Sequence, residues 1–295
     1  MTHSYSITRE VTIDLNGHSA TANINSALFN VGEGGKLTLE GGSVSNRGQV
    51  GQASNGGEIV VENGSYTSTN AAAFRAAVDG TVIVNGGELT GQEGAVDSRG
   101  KGTNGCNATI TVNGGKLTGL DNFAIATNGS SGMGGNTVTI NGGELEGNIK
   151  SAGYEAIGVY IANNDTFVMN GGTIKANGGT GLCMRAGNVT INNGTIIATN
   201  VDKNGNIVAD GKIADDPTIM EGCSAVIFHE TSNYPGQKLG EMKLTINGGT
   251  ITGVDHSVQV LSNAENPKVF VTGGTLTPVY PEPVTEAPAE EQTEP

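Results

Sequence analysis

The strongest constraint on this 295-residue chain is a small corner motif, usually Asn-Gly-Gly, that returns ten times. Taking the residue before each small pair as position zero, the series is Asn16, Glu40, Glu62, Asn85, Asn113, Asn141, Asn170, Asn192, Asn247 and Thr272. The spacings are 22 to 29 residues, except for one of 55 that reads as a turn carrying insertions. Three residues before zero runs an apolar column from Ile13, Leu37 and Ile59 to Leu244 and Val269. One before zero runs another, from Leu15, Leu39 and Val61 to Ile246 and Val271. Apolar positions two apart are the signature of a strand with one buried face. A third inward column, Ala20, Val44, Tyr66, Leu89 and onward to Leu276, lies four after zero.

The corner residues carry their own information. The first position after zero is always Gly or Asn, the residues that enter the left-handed region most readily, which predicts a positive φ there. The second is Gly in every copy but one, where His18 stands, and this predicts a close approach of backbone to backbone. Seven zero positions are Asn: Asn16, Asn85, Asn113, Asn141, Asn170, Asn192 and Asn247. Stacked about 4.8 Å apart, their amides can hydrogen-bond along a ladder. The 48 Gly and 31 Asn of the chain are therefore turn chemistry rather than the mark of a disordered polymer.

Each repeat also has a second apolar patch, such as Ala95–Asp97, Phe123–Ala126, Ala156–Ile161 or Ala225–Phe228. A unit of two or three short strands cannot bury its apolar face alone and must stack on copies of itself. The expected architecture is all-β: a right-handed parallel β-helix of about ten rungs over residues 1–277, followed by a disordered tail at 278–295. Ten rungs would make a column about 50 Å long. The motifs "TIDLNGH" at 12–18 and "VTINGGTIT"-like "LTINGGTIT" at 244–252 resemble those of the pectin-lyase-like β-helix superfamily. The second is also similar to Asn/Gly-rich β-helices in surface proteins of Gram-positive gut bacteria. That resemblance implies the fold and leaves activity open, because the superfamily hosts lyases, hydrolases, adhesins and tail spikes.

Charge and composition narrow the partners. A formal net charge of −14 argues against nucleic acid and against an anionic membrane surface. No apolar run approaches the ~18–20 residues of a spanning helix, so membrane insertion is not expected. Cys106, Cys183 and Cys223 are too few for a disulfide scaffold; buried thiols are expected, with a Cys183–Cys223 bridge as the alternative. The segment 278–295 is Pro-rich, with acidic residues and no basic ones, as in a linker. No apolar signal-peptide core follows Met1. That leaves a mature fragment or a cytoplasmic protein open, and the acidic tail and the resemblance together lead to the expectation of a chain working outside the cell or at its surface.

Two insertions, 200–222 and 229–242, fall in one rung, and loops on a scaffold are where function concentrates. Asp215 and Asp216 are the only adjacent acids outside the tail and so the weak candidates for a catalytic pair, but they precede Pro217 in an insertion. Asp202, Asn204, Asn206 and Asp210 match part of a calcium loop, yet Ile207 and Ile213 replace its obligatory Gly and Glu. A metal-free hairpin around Asn204-Gly205 is expected instead, and no cofactor is expected anywhere. Tyr160, Arg185 and His229 end the second patch of three successive rungs. Pointing outward, they would form a stripe able to hold a sugar ring. Outward Thr columns at Thr245, Thr250 and Thr252 are interrupted elsewhere by Glu88, Lys116 and Glu144, which excludes an ice-binding array. The expectation is a non-catalytic extracellular stalk or adhesin-like module with glycans as partners. A polysaccharide lyase or glycoside hydrolase of the same fold, and a phage tail-fibre segment, are the alternatives.

Overall fold

The computed structural model describes residues 3–149, 156–202, 204–206, 224–228, 241–254, 256–260 and 267–277. The described residues form thirty short strands and no helix. They collect into three sheets, each ten strands deep. Each inner strand pairs in parallel with its counterparts one turn earlier and one turn later. The first sheet begins at Tyr5–Ile7, the second at Glu10–Asp14 and the third at Ser19–Thr21. Together they form a parallel β-solenoid around one continuous apolar core.

Register explains why the core is continuous. In the second sheet Val82, Ile110, Val138 and Phe167 sit directly over one another, and all four are fully buried. The residues beside them, Ile83, Thr111, Thr139 and Val168, stack on the outer face and are half-buried. Each fully buried aliphatic side chain contributes about 1.5–3 kcal/mol of transfer free energy, repeated rung after rung.

The first rung departs from the sequence alignment. Val11 pairs with Leu37, Ile13 with Leu39 and Asp14 with Glu40, so position zero there is Asp14 and not Asn16. Because side chains alternate with a period of two, a shift of two residues keeps the same face inward and is invisible to the pattern. The extra two residues bulge at the corner, where Asn16 and Gly17 both take positive φ (+45° and +79°). The Asn16 N–H donates to Asp14 Oδ1 across 2.7 Å, closing that bulge.

The two corner glycines divide the expected roles unevenly. At Gly114-Gly115 it is the second residue that is left-handed, with φ +87°. The first has an ordinary φ, and a Cβ on it would lie 2.8 Å from the carbonyl oxygen of Asn85 in the rung before. A Cβ on Gly115 would lie 2.7 Å from the Gly87 carbonyl oxygen, so the close approach expected at the second position is found there, and the positive φ expected at the first has moved to the second as well.

Cys106 and Cys183 are buried, and burial pushes the Cys106 thiol up to about 11. Cys223, Asp215, Asp216, His229 and the 278–295 tail lie outside the described residues.

Candidate functional site

On the outer face of the first sheet one column runs Gln52, Arg75, Asp97, Ala126, Tyr160 and Cys183. The side chains on either side of Ala126 are large, whereas Ala126 itself ends at a methyl group. The result is a hollow of about 170 Å³, with Asp97 and Tyr160 facing one another across Ala126. Ser98, Arg99, Phe123, Thr127, Asn128 and Gly129 complete its lining.

Several local devices build this hollow. Arg75 Nε donates to Asp97 Oδ1 at 2.8 Å and Arg75 Nη2 to Oδ2 at 2.6 Å, a bidentate pair across two rungs. The side chains of this pair are 14% and 5% exposed, so water screens it little. Phe123 packs where Gly94 lies beneath it in register; a Cβ there would fall 2.7 Å from the ring. The loop after Phe123–Ala126 is pinned by the Asn163 amide, which donates to the carbonyls of Asn128 (3.2 Å) and Ser130 (3.1 Å). The Thr127 hydroxyl accepts from the Ala162 N–H at 2.8 Å. The Ser98 hydroxyl, on a residue only 2% exposed, has no hydrogen-bond partner among the described residues.

The sequence stripe is redistributed by this geometry. Tyr160 lines the hollow and is half-buried, with its hydroxyl accepting from Arg185 Nη1 at 2.8 Å. Arg185 is itself only 2% exposed, and His229, the third member of that stripe, lies outside the described residues. In register Tyr160 pairs with Cys183, two residues before Arg185, and the Arg185 N–H donates to Ile161 O. Arg75, Asp97, Ser98, Phe123 and Thr127 were not singled out from the sequence. The available signal was rung length, since the rungs ending at Asn113 and Asn141 each carry 28 residues and their longer loops supply Arg99 and Thr127, Asn128 and Gly129 to the hollow.

A second feature is the amide row on the exposed corner. Asn113 donates to Asn85, Asn141 to Asn113 and Asn170 to Asn141, each through Nδ2 to Oδ1 at 2.8 Å. Asn192 and Asn247 continue it at 2.9 and 2.8 Å. Asn85 closes one end on the Glu62 carboxylate and the Thr272 hydroxyl closes the other on Asn247. Asn16 stands outside this row, because Asp14 takes its place in the register.

The insertion after Val201 begins as a tight loop. Asp202 Oδ1 accepts from the N–H groups of Asn204 and Asn206, and Oδ2 accepts from Asn206 Nδ2 at 3.0 Å. The bonds from Asn206 hold the Asp202 carboxyl below the ordinary Asp range. Its oxygens are thus engaged within the loop. Among the described residues no group of three or more His, Cys, Asp or Glu is placed to hold a metal ion.

Comparison with protein-family models, with curated proteins and with solved structures returns no match for this chain.

Proposed function

We propose that this chain is a non-catalytic, rod-like module working outside the cell, which presents the Asp97–Tyr160 hollow to a glycan. The observation that carries this reading is the lining of the hollow. Two aromatic residues, Phe123 and Tyr160, share the lining with the polar residues Thr127 and Asn128. A sugar ring offers an apolar C–H face and a rim of hydroxyls, and such a site matches both. Asp97 favours binding over hydrolysis: both its oxygens are held by Arg75, leaving it poorly placed to donate or accept a proton at a glycosidic bond. The unbroken three-sheet column supports a stalk or adhesin-like role, since a solenoid transmits position along its length without hinges. The Asn-Gly-Gly corners are similar to those of β-helices in bacterial surface proteins, and the pectin-lyase-like superfamily is the broader relation we infer.

A glycan array tests this reading. Retention of a defined glycan that falls at least tenfold in both Phe123→Ala and Tyr160→Ala, with the fold intact by circular dichroism, is the expected result. Retention unchanged in both removes the hollow as the site. Release of reducing ends, or of unsaturated products absorbing in the ultraviolet, would replace the non-catalytic reading with the enzymatic one.

A further inference from the structure

Among the described residues, the end strands of the solenoid carry a neighbour on one side only. At one end these are Tyr5–Ile7, Glu10–Asp14 and Ser19–Thr21. At the other they are Val258–Val260, Lys268–Val271 and Thr275–Thr277. Inner core positions are sealed, whereas Val11, Ile13 and Ala20 at one end and Val269 and Leu276 at the other are only partly covered. The four large apolar side chains exposed among the described residues follow the same division. Tyr5 (37%), Phe270 (48%) and Val271 (44%) are on end rungs, and Val254 (41%) is on the turn entering the last rung.

We infer that these ends dock on one another, the last rung of one copy against the first rung of a second, to give linear head-to-tail assemblies. The argument is complementarity column by column. Continuing the observed register by one step would set Val258 and Val260 on Tyr5 and Ile7 in the first sheet. In the second it would set Val269 and Val271 on Val11 and Ile13, and in the third Leu276 on Ala20. Apolar meets apolar in all three sheets, and strand direction stays parallel because the chain's own polarity is continued.

Charge fixes the phase. The column that starts with Glu10 continues through Lys36 and Glu58 and ends on Lys268. Within it, Lys36 Nζ and Glu58 Oε1 are 2.9 Å apart. A second copy would place Lys268 against Glu10 and repeat that pair across the junction. The chain's own 278–295 segment is the competing occupant. It has prolines at 278, 281, 283, 288 and 295, which lack the N–H that a ladder needs. A head-to-tail contact of this kind does not close on itself, so it generates rods rather than discrete dimers.

Charge reversal at the junction provides the test, using the full-length chain. Sedimentation velocity over a wide concentration range, with electron microscopy of the largest species, should show wild-type rods that lengthen with concentration. Glu10→Lys alone and Lys268→Glu alone each oppose like charges and should weaken association by roughly five- to tenfold. An equimolar mixture of the two variants should recover wild-type association, because each then meets its opposite. That recovery also shows both variants to be folded. Wild-type protein that stays monomeric throughout, or rods indifferent to both reversals, would overturn the inference. So would hydrogen-exchange protection of residues 278–295 in a chain that never associates, which would assign the end to the tail.

Discussion

Arg75 and Asp97, one rung apart on the first sheet, share two hydrogen bonds in a setting nearly closed to water. Removing one partner leaves the other charge buried without compensation, which generally costs about 3–5 kcal/mol. Asp97→Ala should therefore lower stability by about that amount, read from the calorimetric midpoint. The double variant Arg75→Leu with Asp97→Ala should recover most of the loss. A single variant as stable as wild type would show the pair to be only a surface contact.

The corner glycines make a sharper contrast. Gly115 combines φ +87° with a carbonyl oxygen 2.7 Å from where its Cβ would go, whereas Gly17 has φ +79° and open space around it. Gly17→Ala should cost only the backbone strain, about 1–2 kcal/mol. Gly115→Ala adds a clash with the backbone of the rung below and should cost clearly more. Equal losses in denaturant midpoint would mean that handedness alone, and not stacking distance, demands the second glycine.

The architecture was legible because each rung repeats the same compromise between inward apolar columns and Gly/Asn corners. Ten copies let the columns of Val82, Leu89 and Asn113 be read against one another. Two details escaped for physical reasons. A two-residue register shift at Asp14–Asn16 preserves alternation and leaves no trace in the pattern. Positive φ and close approach both select Gly, so composition cannot say which glycine of Gly114-Gly115 does which. The hollow was harder still. It depends on Ala126 being small between Asp97 and Tyr160, residues 29 and 34 positions apart from their neighbours in the same column, and sequence spacing does not display that relation. The Tyr160–Arg185 pairing was half legible: the two residues were singled out together, but the burial of Arg185 was not.

Asn141 lies at the middle of the exposed amide row, donating to Asn113 and accepting from Asn170. Asn141→Ala deletes both bonds, and at about 0.5–1.5 kcal/mol net per bond the loss should be about 1–3 kcal/mol. Because the amides are exposed, water repairs part of the damage and the lower half of that range is expected. The double variant Asn113→Ala with Asn141→Ala shares one deleted bond, so its loss should be less than the sum of the single losses. Strict additivity in urea titrations would mean that the row is geometric rather than energetic.

Tyr66 is fully buried at the third wall, with its ring edge-on to Phe74 at a centroid distance of 5.7 Å. Its hydroxyl has no hydrogen-bond partner among the described residues. Tyr66→Phe removes an unsatisfied polar atom while keeping the ring, and should leave stability unchanged or raise it by about 1 kcal/mol. Alkaline pH gives the independent check. Burial pushes the Tyr66 phenol up to about 12, from an ordinary value of 10.0. The native state thus holds its proton more tightly than the unfolded chain. Its contribution is intact below pH 10 and is lost as pH rises from 10 towards 12, to a limit of about 2–3 kcal/mol. Unfolding titrations at pH 9 and pH 11.5 should show a steeper loss for wild type than for Tyr66→Phe, and parallel losses would place the phenol in contact with water.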